Sequence, residues 1–194
     1  NKDSNAKTWT LITDYYDATS LRDATAYTLA QRLGVKDAVD FDYVDLYYGG
    51  GYRGTYLLCK KVQIGKGRVD ITDLKKENEG LNADISDKSI VTGSNSYGLD
   101  IRYSKGMVSP SDISGRYLVE HEQYEPRYSK ETAYFGVEVV PGVEQHFAIK
   151  SPEVWSCEET NYVSRLFQDV FELMPQRWRG SLVTRELSRR YDDR

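Results

Sequence analysis

The chain has 194 residues, of which 39% are hydrophobic and 29% are charged, and its formal net charge is -4. These values are typical of a soluble domain with an apolar core. They exclude a membrane-spanning helix, because no run approaches about 18 apolar residues. They also argue against a dedicated nucleic-acid-binding protein, since acidic residues outnumber basic ones, 30 to 26.

Cysteine and histidine are scarce. The chain has Cys59 and Cys157, with no CxxC pair, and only His121 and His146. A structural zinc site usually takes four Cys or His ligands, so we expect no metal site and two isolated, structural or exposed histidines. The two cysteines are either free thiols or partners in one disulfide, and the sequence leaves both open.

The first elements are a short strand at residues 9–12 and a helix over residues 21–33. The helix is predicted from an apolar stripe at helical spacing, formed by Ala26, Leu29, Ala30 and Leu33. Thr19 or Ser20 is suited to cap its start, and Gly34 to end it.

A β-hairpin follows. Residues 43–48 and 52–58 are rich in strand-forming residues and flank three consecutive glycines at 49–51. The glycines either serve the turn or offer backbone N–H groups to a phosphate. Beyond the hairpin, Lys60 and Lys61 occupy consecutive strand positions, so we expect one in solvent and the other towards a cleft.

The rest of the chain predicts a mostly antiparallel sheet and a second helix. Residues 75–114 resemble a loop-rich insertion with one or two short strands, and further strands are predicted at 115–120, 134–140 and 145–149. Ser156 and Glu159 have the spacing of a capping box, and an apolar stripe predicts a helix over residues 157–174. The fold class is therefore α+β with two main helices, in one domain over residues 1–174, followed by an Arg-rich tail at 175–194.

Lys150 ends a predicted strand just before this second helix. In kinases a strand lysine contacts the nucleotide phosphates, and a glutamate of the following helix holds it in an ion pair. Glu158 and Glu159 are the corresponding acids here, although the capping box already uses Glu159. The alternative is an ordinary solvated lysine.

Tyrosine is unusually frequent, with 16 copies. Tyr47, Tyr48, Tyr52 and Tyr56 all fall in the predicted hairpin, and Tyr52 and Tyr56 share one face if the strand is regular. Exposed aromatic rings stack on sugars or anchor protein partners. Alternatively, strands favour tyrosine and half-bury it.

Five blocks of the sequence share the order and spacing of one family's motifs. They are residues 9–17 (W-x-L-x-x-x-Y-x-D), 21–34 (L-R-N…A-Y…L-G), 44–58 (V-D-L-Y-x-N-G-x-Y-R-G-x-Y-L-L), 115–120 (G-G-Y-L-L-E) and 148–164 (V-K-S-P-E…Y-I-S). Over roughly residues 9–174 the chain thus resembles the CotH family. That family is the spore-coat protein H group of atypical, secreted-type kinases, which also occurs on cellulosome-associated proteins.

The resemblance implies a kinase-like fold that uses ATP and Mg to phosphorylate Ser or Thr in secreted, spore-coat or cellulosomal proteins. It implies an extracellular or spore- or cell-surface location, and a protein substrate or assembly partner. Nucleotide binding would then fall to Lys150, with Glu159 or Glu158 as its partner, and to Lys61 or Arg53 near the mouth of the cleft.

The chain also departs from the family pattern. No segment after Met174 matches the Asp- and Asn-bearing catalytic loop or the W-D-x-D metal site. Within the blocks, Lys60 stands where the family usually has Glu, and three glycines at 49–51 replace N-G-x. The catalytic residues are therefore unknown, and we expect this chain to be an incomplete kinase-like domain, inactive alone. The alternative is a non-catalytic extracellular module that binds a glycan or a protein through the Tyr-rich hairpin.

Overall fold

The computed structural model of the protein describes residues 8–13, 17–87, 89–114, 116–122, 133–151 and 156–174. These ranges contain eight strands and three helices, and the strands of both sheets are antiparallel, which confirms the α+β class. The chain divides into two compact units, residues 1–72 (unit 1) and 73–194 (unit 2). The single domain over residues 1–174 stays a prediction. Parts of the ranges used above lie outside the described residues, namely 14–16, 88, 115, 152–155 and the tail 175–194.

Unit 1 combines a three-stranded sheet with one helix. Its strands are β1 (Trp9–Ile12), β2 (Phe41–Tyr48) and β3 (Gly51–Lys60), in the order β1-β3-β2. The helix α1 spans Arg22–Arg32, within one residue of the prediction.

The turn between β2 and β3 explains two of the three glycines. Gly49 and Gly50 have φ of +60° and +77°. A two-residue hairpin turn of type I′ requires positive φ at both central residues, and glycine adopts it without strain. The predicted hairpin is confirmed, and its turn accounts for these glycines without a phosphate.

A β-bulge interrupts this hairpin at Arg53. Leu46 pairs with Gly54, but Tyr47 pairs with Tyr52, so Arg53 is an extra residue on β3. The extra residue reverses the alternation of side chains beyond it. Tyr52 therefore shares a face with Thr55, whose hydroxyl lies 3.0 Å from its own. The prediction that Tyr52 and Tyr56 share one face is wrong for this reason.

The start of α1 is capped from further away than predicted. The carboxylate of Asp17 accepts hydrogen bonds from the backbone N–H of Leu21 (3.1 Å) and of Arg22 (2.9 Å). It also accepts the hydroxyl and backbone N–H of Thr19. Thr19 thus supports the cap, whereas Asp17 supplies the acceptors that the free N–H groups of a helix start require.

Unit 2 contains a five-stranded antiparallel sheet. Its elements are α2 (Lys75–Leu81), β4 (Ile90–Ser94), β5 (Asp100–Ser104), β6 (Leu118–Glu122), β7 (Tyr134–Val140), β8 (Val143–Ser151) and α3 (Cys157–Leu173). The strand order is β4-β5-β7-β8-β6. One or two short strands were predicted in residues 75–114, and β4 and β5 confirm that prediction. The helix α2 was not predicted, because its sequence KKENEGL has no apolar stripe.

The core of unit 2 lies between one face of this sheet and α3. Phe135 and Phe147 stack at a ring-centroid distance of 5.6 Å, and Phe167 of α3 packs against both. Ring pairs of this kind bury large apolar areas and fix the helix on the sheet. The other buried members include Ile101, Val137, Val139, Ile149, Val163 and Phe171.

The start of α3 confirms the predicted capping box. The Ser156 hydroxyl accepts the backbone N–H of Glu159 at 3.0 Å, and the Glu159 carboxylate accepts the backbone N–H of Ser156 at 3.1 Å. Two backbone donors at the start of the helix are thereby satisfied.

Both cysteines are free thiols, Cys59 buried and Cys157 half-buried. Burial, with a smaller contribution from Asp23, raises the pKa of Cys59. Among the described helices, none combines the length and the apolar character needed to cross a bilayer.

Candidate functional site

The sheet of unit 2 has a polar face on the side away from α3. Side chains alternate along a strand, and Phe147 and Ile149 of β8 belong to the core that includes α3 residues. Glu144 and His146 of β8 therefore lie on the opposite face. Lys150 is the extra residue of a bulge in β8, since Leu118 pairs with Ser151 and Val119 with Ile149. Its contact with Glu120, which pairs with Ala148, places its ammonium on that same face. We call this surface the polar sheet face.

Lys150 forms an ion pair on this face with Glu120 of β6. Its Nζ lies 3.6 Å from Oε2 of Glu120, and the two side chains are 34% and 49% exposed. Such a pair orients the ammonium without removing it from solvent, so an anionic ligand can still reach it. Sequence reasoning did not name Glu120 as a partner, because the pairing depends on the register between β6 and β8.

The two helix acids have different environments. Glu158 is exposed in the first turn of α3. Glu159 is buried, and its carboxylate accepts the side-chain amide of Asn78 at 3.0 Å as well as the Ser156 groups of the capping box. Glu159 thus stabilises the start of α3, and its predicted pairing with Lys150 stays a prediction.

A second group on the polar sheet face brings together Asp100, Glu144 and His146. One ligand atom from each lies within 4.8 Å of the other two. The Nε2 of His146 is 3.4 Å from Oε1 of Glu144, and the same oxygen accepts the backbone N–H of Asp100 at 3.3 Å. Burial, followed by the charge of Asp100, raises the pKa of Glu144.

This group corrects the expectation that His146 is isolated. One signal in the sequence could have found part of it: Glu144 and His146 are two residues apart on a predicted strand, so they share a face. The sequence could not show that Asp100 belongs to this group, because Asp100 comes close to Glu144 only through the pairing of β5 with β7. A zinc-site criterion based on cysteine and histidine alone also overlooks this group, because two of its members are carboxylates.

Unit 1 has a cleft of about 260 Å³ beside the end of β3. Its lining is Asp37, Ala38, Val39, Asp40, Lys60, Lys61, Val62, Gly67, Arg68 and Val69. Lys60 is ion-paired with Asp40 there. Both Lys60 and Lys61 reach this cleft, since β3 ends at Lys60 and alternation no longer separates the two residues.

Lys61 and Arg53 are not brought together. Lys61 lines this cleft just beyond the end of β3, whereas Arg53 is the bulge residue near the turn. Seven positions of an extended strand separate the two, which amounts to more than about 20 Å along β3. The two side chains therefore do not meet at one point, and their predicted part in nucleotide binding stays a prediction.

The hairpin presents tyrosine rings to solvent. Tyr47, Tyr48 and Tyr52 are 68%, 74% and 56% exposed. The Tyr47 and Tyr52 rings pack at 5.4 Å, and the Tyr52 hydroxyl lies near Thr55, which donates to Asp45 at 2.7 Å. Tyr47, Tyr52 and Thr55 thus form a supported aromatic surface, which we call the tyrosine surface. Tyr48 is the next residue of β2 and faces the other side of the hairpin.

Comparison with known proteins identifies a family. A family model described as CotH kinase protein matches residues 2–134, which is more than half of the chain. No curated protein and no solved structure matches significantly. The matched range contains the tyrosine surface, the cleft of unit 1 and Glu120, whereas Lys150 and α3 lie beyond it. The extent of this match shows that the chain belongs to the CotH family.

Proposed function

We propose that this chain carries the nucleotide-binding part of an ATP- and Mg-dependent protein kinase domain of the CotH type. Its substrates would be Ser or Thr residues of secreted, spore-coat or cellulosomal proteins, at an extracellular or spore- or cell-surface location. Family membership supports the reaction class. The observation that carries the proposal is the ion pair between Lys150 and Glu120.

This ion pair joins two separate blocks that resemble the family. Glu120 ends the block at 115–120, and Lys150 lies in the block at 148–164. Adjacent strands bring the two side chains together on the polar sheet face. A residue pair that links two such blocks is more readily explained by a shared role than by two unrelated surface charges.

The exposed ammonium of Lys150 is chemically suited to a phosphate oxygen. Lysine binds phosphates as a point charge, and an adjacent carboxylate fixes its position. Glu120 would thus do what a helix glutamate does in other kinases. ATP supplies the phosphoryl group, and its divalent ion offsets the phosphate charge.

We further propose that this chain alone binds nucleotide without transferring phosphate. Phosphoryl transfer needs a positioned base and carboxylates that hold the metal. No segment of this sequence matches the family's catalytic loop or its W-D-x-D motif.

Thermal-shift titration with Mg-ATP tests the nucleotide role. A ligand that binds only the folded state stabilises it by about 2.7 kcal/mol at a concentration 100 times its Kd. We expect a rising Tm for the wild type, a smaller rise for Glu120→Gln and none for Lys150→Ala. Lys105→Ala is the matched control, because Lys105 is also a surface lysine paired with an acid, Asp87, at 3.7 Å.

Two results would count against the proposal. One is a wild-type Tm that Mg-ATP leaves unchanged. The other is a Lys150→Ala variant that responds as strongly as Lys105→Ala, since the nucleotide would then be bound elsewhere.

The tyrosine surface supports a second candidate function, the binding of a glycan or an assembly partner. Rings that are more than half exposed offer flat apolar faces for stacking. We expect retardation in polysaccharide affinity gels, reduced by Tyr47→Ala or Tyr52→Ala and unaffected by Tyr97→Ala, another exposed tyrosine. This function would be rejected if the wild-type protein migrated freely in these gels and no coat or cellulosomal protein were recovered with it in pull-downs.

A further inference from the structure

We propose that Asp100, Glu144 and His146 form a binding site for one transition-metal ion of the zinc class. Nothing in the nucleotide proposal requires this site. It lies on the polar sheet face, four residues from Lys150 along β8, or about 13 Å.

The spacing of the ligand atoms fits such an ion. Zinc binds nitrogen and carboxylate oxygen at about 2.0–2.2 Å, so two ligands of a tetrahedral ion are about 3.4 Å apart. The separation of His146 Nε2 and Glu144 Oε1 is 3.4 Å. All three ligand atoms are within 4.8 Å of one another, so a small rotation of the exposed Asp100 side chain completes the set.

The type of the ligands selects the class of metal. Imidazole suits zinc, copper, iron and nickel, whereas magnesium prefers an all-oxygen shell. Three protein ligands also leave a coordination position open to water or to another ligand. The proposed ion is therefore different from the Mg that accompanies ATP.

Gly136 of β7 makes room for the Glu144 carboxylate. A Cβ at position 136 would lie 1.5 Å from Glu144 Oε1 and 2.4 Å from its Cδ. The carboxylate thus occupies the space that any other residue would fill with a side chain. Gly136 pairs directly with His146 across the sheet, so the same position lies beneath both ligands.

The charges of the site favour a cation. Asp100 and Glu144 present two carboxylates to the same small volume, and like charges at this distance repel each other. A divalent ion compensates both. The three ligands come from β5 and β8, on either side of β7, so hydrogen-bonded strands hold them in place.

The competing explanation is a simple ion pair between His146 and Glu144. Zinc titration by calorimetry on the full chain, freed of any histidine tag, separates the two. We expect one Zn²⁺ per chain, with affinity reduced at least about tenfold in His146→Gln and in Glu144→Gln, since even outer-shell changes cost that much. His121→Gln is the matched control and should bind like the wild type, because His121 instead contacts Gln145 at 2.8 Å.

Two further variants keep the test decisive if His146→Gln does not fold. Asp100→Asn alters an exposed side chain and should weaken zinc binding by the same order. Gly136→Ala removes no ligand atom, yet it should weaken binding by displacing the carboxylate of Glu144. Circular dichroism without metal checks that each variant is folded.

Three outcomes would overturn the proposal. The first is no saturable zinc binding by the wild type. The second is zinc binding that these variants leave unchanged. Co²⁺ substituted for zinc would support the same conclusion if its spectrum showed a thiolate charge-transfer band, since the metal would then be bound at a cysteine. The third is Mg²⁺ binding as tight as Zn²⁺ binding, which would contradict the proposed class of metal.

Discussion

Asp17 shows how one carboxylate controls the start of a helix. Hydrogen bonds from the Thr19 hydroxyl, and then from the Arg22 backbone N–H, lower the pKa of Asp17 from 3.8 to about 2. A carboxyl whose pKa is lower in the folded state stabilises the fold above its unfolded pKa. That stabilisation is lost as the pH falls through the folded value.

The prediction at this residue is a pH-dependent loss of stability. Asp17→Asn should lower the Tm at pH 7, because an amide cannot accept the bonds that both carboxylate oxygens now accept. The difference from the wild type should shrink as the pH falls from about 4 to about 2. Thermal melts followed by circular dichroism measure it.

Asp23→Asn is the control, since it removes an acidic charge from the first turn of the same helix. We expect a smaller effect from it. Equal effects of the two variants at all pH values would mean that the helix dipole, not the cap of Asp17, is responsible.

The sequence predicted individual residues well where the reason was local. The capping box of Ser156 and Glu159 depends on residues three apart, and the structure confirms it. The pair of Lys150 with Glu120 depends instead on which strands are neighbours. No local rule connects residues thirty positions apart.

At the scale of elements, the buried carboxylate of Glu159 stabilises the start of α3. Glu159 accepts hydrogen bonds from Asn78 of α2 and from Ser156, so it connects the start of α3 to the middle of α2. Glu159→Ala would remove the acceptor that these buried donors use. We predict a loss of about 2–4 kcal/mol in the free energy of unfolding, since each unsatisfied buried group costs about 1–3 kcal/mol.

Glu158→Ala is the matched control one residue away. An exposed acid in the first turn interacts mainly with the helix dipole, so we predict a loss of no more than about 1 kcal/mol. Urea unfolding followed by fluorescence compares the two variants. A larger loss for Glu158→Ala would show that the two acids have been assigned the wrong roles.

Patterns of apolar residues predicted the long helices and strands. Features that lack such a pattern, such as α2, were not predicted. The stripe in α3 predicted that helix to within one residue. The short helix α2 is almost entirely polar and packs through Asn78, so periodicity could not reveal it. The bulge at Arg53 was equally hidden, because a bulge is defined by two strands together.

At the scale of the whole molecule, the chain divides into two compact units. Asp17 makes its hydrogen bonds within unit 1, and Glu159 makes its bonds within unit 2. The family match covers residues 2–134, which include residues of both units, so it does not decide whether the units unfold together. Local stability, however, follows local contacts.

We therefore predict that each variant loosens only its own unit. In hydrogen exchange followed by mass spectrometry, Asp17→Asn should raise exchange in peptides from residues 8–72, and Glu159→Ala in peptides from residues 73–174. Wild-type protein at the same pH provides the baseline for both. If either variant raised exchange equally throughout both ranges, the units would unfold as one cooperative body, and the single domain predicted over residues 1–174 would be the better description.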